Sequence, residues 1–222
     1  SKIAAMKNAV GNFIDQVTAN ATGDPATNED DVTHRLGIVK FSGNESDQIG
    51  NDTYRSDGNT YNYSQAVQDL TSVTGNVQSL KNTVNELAAA GSTRTDFGLN
   101  QAQRVLDGDR QHGLGGAREE AKQVVVVFTD GEPSTFSNWS GGVAANAVNL
   151  AKDLKDDKVT VYTIGMFEDA DPSDTDGRFN KYMNGVSSNY PNAEVTNWRG
   201  DRTQDWDDCK LGTRVTEGNY YF

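Results

Sequence analysis

The sequence predicts an α/β domain: a central, mostly parallel β-sheet flanked by helices on both faces. Three observations carry that prediction. Gln123 to Phe128, with four consecutive valines, has the composition of a strand buried on both faces, as in a parallel sheet. Val143 to Leu154 then repeats at helical spacing, and Val159 to Met166 is a second buried strand; strand, helix, strand implies a right-handed parallel crossover. Finally, the chain opens on an amphipathic helix whose partner strand has not yet appeared.

That opening helix, Ser1 to Asn20, places Ile3, Met6, Val10, Phe13, Ile14 and Val17 at spacings of three and four, one apolar stripe. Ala21 to Asp31, rich in Asn, Asp, Thr and Gly, reads as a loop. Arg35 to Phe41 is short, β-branched and aromatic, and is predicted as a strand ended by Ser42-Gly43-Asn44. Asn44 to Tyr63 shows no sustained period and reads as a surface excursion. Leu70, Val73, Val77, Leu80, Val84 and Leu87 restore helical spacing, with Gly91 as the expected stop. A further helix is expected from near Thr95, carrying Leu99, Ala102 and Val105 inward. Beyond Phe167 come an acidic loop, Glu168 to Gly177, a helix with Phe179, Tyr182, Met183 and Val186, a long polar stretch, and Asn219 to Phe222 as the start of a last strand.

At 222 residues the chain fits one domain. Its formal charge of -12 repels phosphate backbones and anionic surfaces, so nucleic acid is not an expected partner. The single cysteine, Cys209, has no second thiol for a disulfide or a zinc pair. No apolar run approaches the ~20 residues that span a bilayer, so direct membrane insertion is not expected.

Chemistry centres on the end of the valine strand. In open parallel sheets ligands bind beyond the carboxyl ends of the strands, and Asp130 stands there. A carboxylate so placed suits a hard cation such as Mg²⁺, which takes oxygen ligands at roughly 2.0–2.1 Å. It equally suits a cap on the turn through Gly131 and Pro133, and spacing alone leaves both open. The acidic loop with Asp169, Asp171, Asp174 and Asp176 misses the EF-hand spacing and reads as a solvated loop. His34 and His112 lack a nucleophile elbow, and Gly113-Leu114-Gly115-Gly116 lacks the lysine and preceding strand of a phosphate loop; it reads as a flexible connection, and no enzyme is expected.

Val124 to Phe128 followed by Thr129-Asp130-Gly131-Glu132-Pro133 resembles the third metal motif of von Willebrand factor type A domains, and Gly91-Ser92-Thr93-Arg94-Thr95-Asp96-Phe97-Gly98-Leu99 resembles their second. The order, second motif before third, also matches. The resemblance implies the Rossmann-like fold of that family and maps two metal ligands onto Thr93 and Asp130. Ser1 to Lys7 resembles the helix following the family's first motif, Asp-x-Ser-x-Ser, which this sequence does not contain; Ser1 lies beyond it and is not a ligand. Gly218 to Phe222 resembles the family's last strand. The expectation is therefore residues 1–222 as a single domain of this family, incomplete at both ends, with its first strand and last helix missing.

Gly165 to Phe167, Asp171 to Asp174 and Asn180 to Pro191 resemble the subset found in cell-wall-anchored surface proteins and pilus-tip adhesins of Gram-positive bacteria. The resemblance implies an extracellular, metal-dependent adhesion module on a bacterial surface, cell wall or pilus. Its cofactor would be Mg²⁺ (or Ca²⁺ or Mn²⁺), held in the intact domain and weakly or not at all by the two motifs present. Its partner would be a protein ligand, such as a host extracellular-matrix or cell-surface protein, that completes the cation's shell with an acidic group. Tyr54, Tyr61, Tyr63, Trp198 and Trp206 are candidate contacts or local packing. The alternative is a structural spacer of a surface or pilus protein that binds neither metal nor ligand.

Overall fold

The β-branched run Val124 to Thr129 pairs in parallel with Thr160 to Gly165, Val124 opposite Thr160 and Thr129 opposite Gly165, in the computed structural model, which describes residues 2–21, 33–136 and 138–215. In chain order the elements are α1 (Lys2–Ala19), β1 (Arg35–Lys40), β2 (Thr53–Ser56), β3 (Asn59–Asn62), β4 (Gln65–Ser72), α2 (Val77–Asn85), α3 (Thr95–Asp107), β5 (Val124–Thr129), α4 (Gly141–Asp156), β6 (Thr160–Gly165), α5 (Arg178–Val186), β7 (Glu194–Val195) and β8 (Cys209–Lys210). The expected loop after Ala21 and the expected last strand at residues 219–222 lie outside the described residues.

Around β5 and β6 the core is dense. Ser140 caps α4 by accepting from the Val143 amide at 3.3 Å, and the helix turns Ala144, Ala147, Val148 and Ala151 inward, small side chains that let it lie close to the sheet. Val127, Val161, Tyr182 and Met183 complete that cluster. Asn149 is buried with its amide satisfied twice by the Val195 backbone, at 2.9 and 3.1 Å, which ties β7 to α4. Lys155 is buried as well, its ammonium donating to the carbonyls of Gly185, Ser187 and Tyr190 at 2.9, 3.3 and 3.0 Å.

A second unit forms where β1 pairs antiparallel with β4, with register shifts on either side of Ile38. Alternation along β1 sends Ile38 to a cluster with Ile14, Val73, Leu80 and Val84 beneath α1 and α2. Val39 goes to the opposite face, against Val105 and Leu114 beside α3. Helices thus cover both faces here, as expected. The β5–β6 pair has α4 and α5 on one face only, and on the other Ile164 is 37% exposed.

The described residues are mixed α/β, with five α-helices and four two-stranded sheets. Four sequence expectations are corrected. The valine run is not buried on both faces: Val124 is 42% exposed and Val125 and Val126 are half-buried, because among the described residues no strand lies beside the edge of β5 away from β6. The helical run starting at Leu70 begins only at Val77 and ends at Asn85, before Gly91. Leu70 sits in β4 and Val73 just after it, so a three- and four-residue spacing crossed a strand end and a turn. The excursion from Asn44 to Tyr63 contains a hairpin, β2 paired with β3, closed by Asp57 (φ 49°) and Gly58 (φ 79°), the left-handed pair that a two-residue hairpin turn needs. Leu114, read as part of a flexible connection, is 1% exposed and anchors that segment.

Candidate metal and ligand site

The loop between α2 and α3 is set by Gly91. Its φ of +112° is left-handed, and any side chain there would collide with the Ser42 hydroxyl at the end of β1. The Ser42 hydroxyl itself donates to the Ala90 carbonyl. Two residues on, Thr93 exchanges backbone and side-chain bonds with the loop after β5. The Ser134 amide donates to the Thr93 carbonyl at 3.1 Å, and the Thr93 amide donates to the Ser134 hydroxyl at 3.1 Å. Ser92 adds a third strap by donating to the Thr135 carbonyl.

Those straps bring the two sequence-predicted ligands into one place. A methyl group on Gly131 would stand 3.5 Å from Thr93 Oγ1, so that hydroxyl faces the backbone immediately after Asp130. Thr129, buried, holds the same turn: its hydroxyl donates to the Gly131 carbonyl at 3.0 Å and accepts from the Gly131 amide at 3.3 Å. The turn is thereby made by Thr129, and the exposed Asp130 side chain makes no capping bond among those described. Lys2 at the start of α1 donates to the Asp130 carbonyl at 3.3 Å.

Other carboxylates nearby are committed elsewhere. Asp96, 2% exposed, takes both prongs of Arg94 at 2.9 and 2.8 Å, and the same guanidinium lies 3.4 Å from the Phe97 ring centre. Glu132 pairs with Arg178 at 2.7 Å, which also stacks over Trp139 at 4.7 Å. In the acidic loop, Asp171 accepts from the Ser173 hydroxyl and amide, at 2.7 and 2.9 Å. Asp174 accepts from the Asn180 side chain and the amides of Gly177 and Asp176. These bonds hold both carboxyl groups below their usual range and shape the turn. Burial pushes the Cys209 thiol up to about 11, which leaves it a packing residue.

The donor chemistry of Thr93 and Asp130, one hydroxyl and one carboxylate, fits a hard divalent cation in kind but supplies only two ligating side chains where roughly six oxygen ligands are wanted. Among the described residues no group of three or more His, Cys, Asp or Glu side chains could hold a metal ion. Ser134, whose two bonds position Thr93, was missed by the sequence reading; no spacing or residue type marks it in advance. Of the aromatic candidates, Trp206 packs on Trp139 at 5.4 Å and is structural, whereas Trp198 is 84% exposed. Tyr54 stacks on Tyr61 at 5.5 Å and meets Tyr63 at 4.7 Å across the hairpin. Phe136, not singled out from sequence, is 76% exposed on the loop strapped to Ser92 and Thr93.

The family model for the von Willebrand factor type A domain matches residues 1–199. Among solved structures the fold is similar to that of proximal thread matrix protein 1 from the mussel byssus. The two are 16% identical with a TM-score of 0.46, over 84% of this chain and 35% of that one. The chain thus spans about a third of that structure's length. No curated protein sequence matches the chain.

Proposed function

The chain belongs to the von Willebrand factor type A family, and from that premise we propose that it is a single metal-dependent binding domain that engages an acidic group of a protein ligand at Thr93 and Asp130. Domains of this family are generally non-catalytic protein-binding modules, often dependent on a divalent cation. The observation that carries the reading is the placement of the Thr93 hydroxyl against the turn that carries Asp130, at the carboxyl end of β5 where parallel sheets bind ligands. Asp130 would supply a charged oxygen and Thr93 a neutral one. A bound Mg²⁺, Ca²⁺ or Mn²⁺ would supply the positive charge that attracts a ligand carboxylate. Ser134 and Ser92 act as positioning residues by fixing the Thr93 loop. Phe136 and Trp198 are apolar surface from which a protein ligand can gain contact.

The setting we infer is extracellular, on the surface, wall or pilus of a Gram-positive bacterium, with a host matrix or cell-surface protein as ligand. The support is the likeness of Gly165 to Phe167, Asp171 to Asp174 and Asn180 to Pro191 to that subset of the family. No helix among the described residues is long and apolar enough to cross a membrane.

A second reading, a structural spacer without metal, is favoured by one observation: among the described residues no group of three or more His, Cys, Asp or Glu side chains could hold a metal ion. Binding to a panel of immobilised matrix proteins, with Mg²⁺ and with EDTA, separates the two. The adhesion reading expects binding that EDTA abolishes and that Asp130→Ala weakens by about tenfold or more, at least 1.4 kcal/mol. Binding indifferent to both changes, or none at all, supports the spacer.

A further inference from the structure

Helices α3 and α4 share a core through Leu99, Ala144 and Val148, yet beside that contact their neighbouring sides turn polar. Asp96, Phe97 and Asn100 lie along one side of α3; Asn146, Asn149 and Leu150, at spacings of three and four, lie along one side of α4. Between them opens a cleft of about 460 Å³, bounded further by Glu45 and by residues 202–204. That size falls in the range of small-molecule sites, roughly 300–1,000 Å³. Its walls are fixed in place. Arg202 donates to the Asp153 carboxylate of α4 at 2.9 Å, and the Thr203 amide donates to the Val195 carbonyl at 3.2 Å. Glu45 Oε1 accepts from Asn100 at 2.7 Å and from the buried Gln101 at 3.1 Å.

The neutral groups of these walls keep unused hydrogen-bonding capacity. Among the described residues the half-buried Asn146 amide and the exposed Gln204 amide make no hydrogen bond, Asn100 Oδ1 accepts none, and Glu45 Oε2 has no partner. The Thr203 hydroxyl accepts from the Asp205 amide at 3.0 Å and keeps its own proton to donate. Most of the charge is committed: Arg94 holds both oxygens of Asp96, and Asp153 holds the Arg202 guanidinium. Among the described lining residues no free cation remains to balance an anionic ligand, and an apolar ligand would strip water from the free amides without replacing it.

We propose that this cleft is a saccharide site, taking a neutral mono- or disaccharide. A sugar hydroxyl both donates and accepts, as a free carboxamide does, so Asn146 and Gln204 each match a hydroxyl whichever way it is turned. Asn100 Oδ1 and Glu45 Oε2 accept from further hydroxyls, the carboxylate by a charge-assisted bond. Phe97 and Leu150 form the apolar wall on which the C–H face of a sugar ring sheds water. The free groups come from four segments around the cleft: α3, α4, Glu45 and residues 203–204. That arrangement suits hydroxyls radiating from a ring better than the linear alternation of an extended peptide.

The inference does not rest on the metal site, and its test is run in EDTA so that the two fail separately. Maltose, lactose, cellobiose and N-acetyllactosamine are each titrated into the ¹⁵N-labelled chain while its side-chain amide signals are followed. At least one is expected to bind with a Kd of about 1 mM or tighter, to shift the side-chain signals of Asn100, Asn146 and Gln204, and to take up saturation from the protein at its ring C–H protons. Asn146→Leu should weaken that sugar by about three- to tenfold, the loss of one hydrogen bond. Gln204→Ala, at an exposed position that folding does not depend on, should do the same. No binding by any of the four, shifts centred elsewhere, an affinity that both variants leave unchanged, or binding of tetra-alanine in place of the sugars would each overturn the proposal.

Discussion

The two halves of the molecule answer the same problem differently. Around β5, β6, α4 and α5 the chain closes a core in which Ala144, Val148, Val161 and Met183 are fully buried. Around β1, β4 and α1 it leaves a stripe of half-buried side chains, Ile3, Met6, Val10 and Phe13, facing a cleft. Composition does not separate them, since both are rich in Val, Ile, Leu and Ala. The difference lies in partners: α4 lies over a paired sheet, whereas α1 faces a gap between two strand edges. A strand's stability is thus set by what lies beside it more than by its own propensity.

The largest expected effect tests the closed half. Tyr182 is 1% exposed, its hydroxyl donating to Thr95 at 2.6 Å, and burial raises its pKa. Tyr182→Ala should cost about 3–5 kcal/mol in urea unfolding, the range for large aromatic truncations in cores. Met6→Ala on the cleft stripe should cost under about 1 kcal/mol, since that side chain is only half-buried. Equal costs would erase the contrast between the halves.

Next comes Lys155, whose ammonium burial lowers its pKa to about 7, with Lys152 adding to the shift. Its folded value lies below the unfolded 10.5, so between pH 7 and 10.5 the unfolded chain holds a proton the folded chain does not. Through this group, stability rises with pH across that window and is lowest below it. Lys155→Met should flatten the rise in a series of urea melts; an unchanged slope would show that the ammonium is not penalised. A smaller effect is expected at the hairpin turn. Gly58→Ala forces a side chain into a left-handed backbone, should cost about 1 kcal/mol, and should speed amide exchange in β2 and β3 while leaving β5 and β6 unchanged. Smallest of all is Trp198→Ala, within about 0.5 kcal/mol in stability because the ring is 84% exposed.

Much of the helical part was legible because a buried face repeats every three or four residues: α1, α3, α4 and α5 lie where Ile14, Leu99, Val148 and Tyr182 predict them. The parallel β5–α4–β6 unit was legible for the same reason. Strand β4 was not, because Leu70 and Val73 happen to continue the spacing of α2 across the turn at Gly75. The Asp57-Gly58 hairpin carried a usable signal, a turn pair between Thr53–Ser56 and Asn59–Asn62, that the lack of apolar residues in those strands concealed. At the site, Thr93 and Asp130 were legible as motif residues. Their proximity was not, because it depends on Ser134 reaching back across 41 positions to hold Thr93.

We propose above that Thr93 and Asp130 together hold a divalent cation. Substoichiometric Mn²⁺ added to the ¹⁵N-labelled chain tests it directly, because paramagnetic broadening reports position even when binding is weak. The account predicts selective loss of the amide signals of Ser92, Thr93, Asp130 and Gly131, abolished in Asp130→Ala. Broadening centred on residues 169–176, or a pattern that Asp130→Ala leaves intact, would contradict it.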